Sequence, residues 1–322
     1  MLFFVIVLQD LKIREIYDGF IFLAEAKRHL PYLKTHRHVE LELNLVVSGT
    51  ITYVVYGRRF TFPRGTLLWM FPSQEHQLVD RSKDGAYYVA VFKPYLIDRA
   101  CLGEGYAGLK RKSPAERGVM HKMLEPAAFD VIRQTMDAMM AGSLDADVLN
   151  REGGFGFASN FLYDHGDPDA LNAGLHYLLI QAWKHSRAGH HVGGSVDLHP
   201  SVQKALELLG RLDASGGPFA ARCGMSEAYL SRLFHQQVGV PLSRYRNAVR
   251  LARFMELAKS SRAKTILECV YEAGFGSYAQ FYKIFTQNYH QGPREFLGRS
   301  RASRRDNFGR PRPHGICGSA AG

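Results

Sequence analysis

Apolar positions change their period along this chain, and each change marks a different kind of element. Between residues 18 and 93 they come in short runs, ELELNLVVSG, TITYVVYGRR, FTFPRGTLLWMF and AYYVAVFK, rich in β-branched and aromatic residues. Glycine, proline or charged residues break the runs every 8–12 positions, the spacing of strands in a sandwich or barrel. From 114 to 189 the period is helical. PAAFDVIRQTMDAMM is one amphipathic stretch and LNAGLHYLLIQAWKHS another, with Leu171, Leu175, Leu178, Leu179 and Ala182 on one side. AGHHVGGSVD, residues 188–197, has no apolar period and predicts a flexible hinge. Residues 198–298 are helical again, and the tail RSRASRRDNFGRPRPHGICGSAAG is almost without apolar content, which predicts disorder. The opening MLFFVIVL has eight apolar residues, far short of the roughly 20 that span a bilayer. It lacks a basic start and reads as a first strand or an extension from an upstream start codon, so no membrane partner is expected.

Within the last helical region one segment occurs twice. ARCGMSEAYLSRLFHQQVG aligns with YEAGFGSYAQFYKIFTQNYH once one residue is inserted in the turn. Gly224 pairs with Gly274 and Met225 with Phe275; after the insertion Leu230 pairs with Phe281, Arg232 with Lys283 and Phe234 with Phe285. Each copy is a short helix, a glycine turn, a serine-started helix and an apolar exit, the sequence shape of a helix-turn-helix. Thr265 and Glu268 are spaced as a capping box, Ser226 and Ser277 stand at N-cap positions, and Gly274 suits a turn that needs φ > 0. LSRYRNAVRLARFMELAKS joins the copies; as a helix it spans ~27 Å at 1.5 Å per residue. Successive major grooves on one side of B-DNA lie about 34 Å apart. A rod of this length, with its turns, suits two probes in adjacent grooves, and Arg244, Arg246, Arg250 and Arg253 add positive charge to it.

Charge sharpens that picture. Residues 1–199 hold 22 basic and 22 acidic side chains, whereas residues 200–322 hold 19 and 8, so the entire formal charge of +11 lies in the second part. A polyanionic partner is therefore expected for that part alone. At 322 residues with 46% hydrophobic content, the chain is sized for about two packed domains. Cys101, Cys223, Cys269 and Cys317 form no CxxC pair and read as buried or free thiols of a reducing, cytoplasmic setting.

Residues 199–298, from HPSVQKALELL through GPREFL, resemble the AraC/XylS-type DNA-binding domain of bacterial transcription regulators. The run A-G-F-x-S-x-x-x-F-x-x-x-F at Ala273–Phe285 is the more specific part. The resemblance implies a sequence-specific, effector-responsive regulator with two helix-turn-helix units, at about 216–239 and 265–290, reading adjacent major grooves of double-stranded DNA. It places Ala228, Ser231 and Arg232 of the first unit, and Tyr278, Ala279 and Lys283 of the second, toward the bases. Arg232 suits guanine O6/N7, the commonest specific contact, worth ~1–3 kcal/mol against a wrong base; Lys283 offers the same less directionally, and Ala228 and Ala279 only apolar contact. Phosphate contacts are expected from Ser226, Gln236, Ser277, Arg244 and Arg246. Two departures stand out: Gly216-Gly217 weaken the first unit's leading helix, and His290 replaces the glycine usual after the second recognition helix.

THRHVELELNLVVSG, with His36, His38, Glu42 and Gly49, and YGRRFTFPRG, with Gly57, Pro63 and Gly65, are similar to the two cupin motifs. On a strand, positions 36, 38, 40 and 42 share one face, so two imidazoles and a carboxylate converge. Metal-binding cupins carry a further histidine where this chain has Leu68, and His76, in FPSQEH, stands near the far wall. Three readings stay open: lining of an effector pocket, structural polar residues, or a metal centre. The first is favoured, and no cofactor, metal or catalytic residue is expected.

The predicted fold is therefore α+β and multidomain. A cupin-like β-barrel sensor occupies 1–110, a helical segment 111–190 whose Leu stripe is either a dimer contact or buried within the monomer, a linker 191–198, an all-α double helix-turn-helix domain 199–298, and a basic disordered tail 299–322. Double-stranded DNA, a small-molecule effector, a second copy of the chain and RNA polymerase are the expected partners. The alternatives are a metal-dependent cupin enzyme with an accessory DNA-binding domain, and non-specific nucleic-acid binding through the tail.

Overall fold

The computed structural model of the chain describes residues 7–8, 11, 13–25, 35–112, 118–143, 163–186, 196–210, 218–260, 264–289 and 291–297. The basic tail, most of the hinge, Gly216-Gly217 and His290 lie outside the described residues.

Alternation of side chains builds two facing sheets. The strands are β1 (Val7–Leu8), β2 (Gly19–Glu25), β3 (His36–Arg37), β4 (Leu41–Ser48), β5 (Thr50–Val55), β6 (Arg58–Pro63), β7 (Thr66–Met70), β8 (His76–Arg81), β9 (Ala86–Phe92), β10 (Met120–Met123) and β11 (Val196–Asp197). One sheet runs β1-β3-β8-β5-β6-β11 and the other β10-β7-β4-β9-β2, antiparallel throughout except for the β1–β3 pair. Together they form the expected β-barrel half. α1 (Pro94–Ala100) and a 3-10 turn follow β9; α2 (Pro126–Met140) and α3 (Pro168–Ser186) then pack on the five-stranded sheet.

That cover inverts the usual alternation. Leu41, Leu43 and Leu45 of β4 are fully buried in the main core, and Trp69, opposite Leu43, donates from Nε1 to Ser186 Oγ of α3 at 3.2 Å. The intervening Glu42 and Asn44 consequently point into the barrel.

The Leu stripe belongs to the same core. Leu171, Leu175, Leu178, Leu179 and Ala182 are each 0% exposed against the barrel, so of the two readings of this stripe the structure bears out burial within the monomer rather than a dimer contact.

The second half contains α4 (Pro200–Gly210), α5 (Phe219–Arg222), α6 (Glu227–Val238), α7 (Leu242–Ser260), α8 (Ile266–Glu272) and α9 (Tyr278–Tyr289), with a last helical turn over 293–297. The described end of the predicted hinge is ordered on the barrel. Val196 and Asp197 pair with Arg59 and Arg58 of β6, Asp197 meets Arg58 at 3.0 Å, and Leu198 is buried. An edge strand was not legible there because SVD has no apolar alternation of its own; β6 supplies the ladder.

The two halves share a core. Val54 of β5 and Val79 of β8 are buried with Leu198, Val202, Phe234, Val238, Leu242 and Tyr245. β8 bulges at this point: Tyr53 pairs with Leu78 and Thr52 with Asp80, leaving Val79 without a partner in the ladder. A bulge lets two successive residues face one side, and both Val79 and Asp80 line the groove against α7. Arg59 Nη1 donates to the Gln237 carbonyl at 3.2 Å, and Gln77 donates to the Tyr245 hydroxyl.

A separate cluster holds the second unit: Leu251, Phe254, Met255 and Leu257 of α7 with Cys269, Val270, Phe275, Phe281 and Phe285. Phe285→Ala empties the centre of this cluster and is expected to cost about 3–5 kcal/mol. Both tryptophans, Trp69 and Trp183, sit in the barrel half, so urea unfolding by tryptophan fluorescence should stay near wild type while the helical far-UV signal melts earlier.

Candidate functional site

The two helix-turn-helix units close their turns alike. In the first, Gly224 has φ +73° and Met225 N–H donates to the Ala220 carbonyl at 3.0 Å. In the second, Gly274 has φ +89° and Phe275 N–H donates to the Val270 carbonyl at 3.2 Å. Ser226 Oγ then accepts from Tyr229 N–H at 3.4 Å, and Ser277 Oγ from Gln280 N–H at 3.2 Å. The inserted residue is Gly276, between Phe275 and the cap. Thr265 and Glu268 form the predicted capping box, with Glu268 Oε2 accepting from Thr265 N–H at 2.7 Å.

With Leu230, Phe234 and Val238 buried, α6 turns Ala228, Ser231 and Arg232 to solvent. Ala279 and Lys283 are exposed on α9, while Tyr278 is half-buried with its ring 5.8 Å from that of Phe281. Tyr229, which sequence reasoning passed over, is 49% exposed and lies under the Arg232 guanidinium at 6.0 Å from the ring centroid. Its position one residue past Ala228 was the available signal.

The expected phosphate set divides. Ser226, Gln236 and Ser277 are exposed beside the recognition faces. Arg246 Nη1 donates to Glu227 at 3.0 Å and its guanidinium lies 4.1 Å from the Phe219 ring centroid, bracing three helices. Arg244 turns toward the barrel, lining the groove with Asp80. Burial pushes the Asp80 carboxyl up, and Arg244 and Arg59 pull it partly back.

Inside the barrel, His36, His38, Glu42 and His76 do come together, though by another route than one strand face. β3 belongs to one sheet and β4 to the other, so the chain crosses between sheets over residues 38–40 and His36 and Glu42 meet from opposite walls. His76 lies on the wall across the barrel from Glu42, where it pairs directly with His36, ring centroids 4.2 Å apart. His38 Nε2 lies 3.2 Å from Glu42 Oε2, and Asn44 donates to Glu42 Oε1 at 2.7 Å. Burial alone pushes the Glu42 carboxyl up, but His38 and His76 outweigh it and hold it well below the usual carboxylate range. Leu68 is fully buried in the hydrophobic core. Tyr53 and Tyr87, both raised by burial, and the buried Arg81 extend this polar lining.

Residues 21–143 match the family model of the AraC-like ligand binding domain, and residues 219–299 match a helix-turn-helix domain model. The chain belongs to the AraC family of transcription regulators. The HTH-type transcriptional regulator MtrA of Neisseria gonorrhoeae is 27% identical over 118 residues, 37% of this AraC-family chain and 35% of that relative. The chain thus spans about a third of the curated relative's length in that match. Among solved structures, ToxT from Vibrio cholerae O395 is 13% identical, covering 88% of this chain and 98% of that one at a TM-score of 0.30. The AraC-like transcriptional activator CuxR is 13% identical, covering 80% and 82% at a TM-score of 0.31. Among the described residues, no helix is long and apolar enough to cross a membrane.

A Cβ at Gly224 would meet nothing within 4 Å, so any penalty of Gly224→Ala comes from its positive φ alone. We expect a loss of about 1–2 kcal/mol. Gly210→Ala, equally unobstructed but helical, should be neutral or stabilising by up to ~1 kcal/mol. Paired thermal melts check the contrast.

Proposed function

We propose that this AraC-family chain is a sequence-specific, effector-responsive transcription factor that reads two adjacent major grooves with α6 and α9. The observation carrying the reading is the shared rod. Leu242, Tyr245 and Val249 of α7 lie in the first unit's core, and Leu251, Phe254 and Met255 in the second's. Two recognition helices anchored to one helix of 19 residues, about 28 Å long, have a fixed separation of the order of a DNA turn.

Arg232 and Lys283 supply the hydrogen-bond donors for base edges, with Ser231, Ala228, Ala279 and Tyr278 shaping the contact. Ser226, Gln236 and Ser277 set register on the phosphates, which positions without specifying. The barrel receives the effector on the polar face formed by His36, His38, Glu42 and His76. Binding there changes DNA occupancy only through different contacts in two arrangements of the halves, and the shared core around Val79 and Tyr245 is where such arrangements would differ. The enzyme alternative treats the DNA-binding half as an appendage. The continuity of its first core with the barrel sheet argues instead for coupled halves.

Arg232→Ala should relax selectivity at one base pair of one half-element, and Lys283→Ala at another about one helical turn away, each by ~1–3 kcal/mol. Competition binding against single-base variants of the selected site measures this. Equal weakening on every duplex would mean that both side chains touch only phosphate. Deleting 299–322 should lower affinity and the salt slope yet preserve site preference; loss of all binding would favour the tail as the nucleic-acid element.

A further inference from the structure

The arginines of α7 differ in how far their charge is neutralised. Arg244 turns to Asp80 in the groove beside the barrel, and Arg253 Nη1 donates to Glu256 Oε2 at 3.3 Å. Arg246 and Arg250 stand one helical turn apart, close enough for like charges to repel. Arg246 is served on one side only. Its Nη1 donates to Glu227, whereas Nη2 is buried and has no hydrogen-bond partner among the described residues. The half-buried Arg250 side chain makes no hydrogen bond or ion pair with any described residue. Burial, and then the charge of Arg246, push its guanidinium down. The fold therefore holds two guanidiniums side by side with one carboxylate between them, a cost that an anion would remove.

Their position says which anion. Arg246 reaches Glu227, the first residue of α6, and lies over Phe219, the first residue of α5. Arg250 lies over the turn that leads into α9: a Cβ at Gly274 would stand 3.7 Å from its Nε. The arginine pair thus occupies the side of the rod on which both recognition helices begin. Their base-facing residues, Ala228 to Arg232 and Tyr278 to Lys283, lie in those first turns, so this side meets the duplex when both helices are docked. The pair also spans the point where α7 leaves the first core at Val249 and enters the second at Leu251. Opposite that point, between two major grooves facing the same way, runs the minor groove with a phosphate strand on either border. A planar guanidinium fork matches phosphate oxygens two at a time.

We infer that Arg246 and Arg250 form a clamp for a backbone phosphate bordering the minor groove between the two recognition helices. The place on the duplex rests on the two-groove reading above; the demand for an anion rests on the arginine pair alone. A phosphate seated there replaces a repulsion with two attractions and ties the rod to the duplex between its probes. It contributes affinity and register, with no base information.

The test measures binding of the full chain to its selected site over a range of salt, with thermal melts alongside. Arg250→Gln should weaken binding about 10-fold, by a similar factor on single-base variants of the site. The slope of log affinity against log salt should fall by about 1. The melting temperature should hold or rise, because the substitution relieves the repulsion. Arg250→Lys, which keeps the charge, should recover most of the slope. Arg246→Gln should lose slope likewise but melt earlier, since the contacts with Glu227 and Phe219 go with it. Neutral methylphosphonates placed one at a time along each strand should weaken the wild-type chain at one or two positions between the preferred elements, and Arg250→Gln should be indifferent to them there. Unchanged affinity and slope in Arg250→Gln, or methylphosphonate penalties that all survive the substitution, overturns the clamp. Earlier melting of Arg250→Gln with an altered site preference also overturns it and assigns this side chain to the fold. A selected site with a single element sinks the two-groove reading instead; the phosphate contact then stands if Arg250→Gln cancels a methylphosphonate penalty on that site, and falls if it cancels none.

Discussion

One helix belongs to two hydrophobic cores. The N-terminal half of α7 buries Leu242, Tyr245 and Val249 against α4 and α6, and its C-terminal half buries Leu251, Phe254, Met255 and Leu257 against α8 and α9. Neither helix-turn-helix unit is complete without that rod: each is too small to bury its own apolar face, and the rod supplies the missing wall. Sharing it converts two small modules into a pair with one fixed geometry. Phe254 touches both Phe281 and Phe285, at 4.4 Å and 5.8 Å between ring centroids, so α9 is locked to the rod through aromatic contacts.

The first core extends further, into the barrel. Val54 and Val79 reach it from the outer face of the six-stranded sheet, and the unpaired position in β8 is what allows Val79 and Asp80 to turn the same way. Burial pushes the Tyr245 phenol up, so it stays neutral in its bond with Gln77. The contact between halves is thus apolar at its centre, with Asp80, Arg59 and Arg244 at its edge. Such an interface has discrete arrangements rather than a continuous slide, which is what a ligand must bias to have any effect.

How much of this was legible in the sequence depended on how local the determining interactions are. The turns of both units were readable because their chemistry lies within six residues: a glycine at positive φ, then a serine that caps the next helix. The alternating strands were readable for the same reason. Long-range pairings were not. The Leu stripe of α3 looked the same whether its partner was another chain or its own barrel, and only the fold decides. The contacts of Arg246 with Glu227 and Phe219 were equally hidden, because they join three separate helices. His36, His38 and Glu42 converge as expected, but because the chain crosses from one sheet to the other. His76 joins them because β8 lies next to β3, a neighbour relation that no spacing in the sequence encodes.

The most direct measurement of the central claim is the phase of the DNA site. Sites selected from random duplexes by the intact chain should contain two preferred elements centred about 10–10.5 base pairs apart. Inserting five base pairs between them rotates one element to the opposite side of the duplex, and affinity should then fall to the level of unrelated DNA. A site with a single preferred element, or one that tolerates the half-turn insertion, would contradict a pair of probes fixed on one helix.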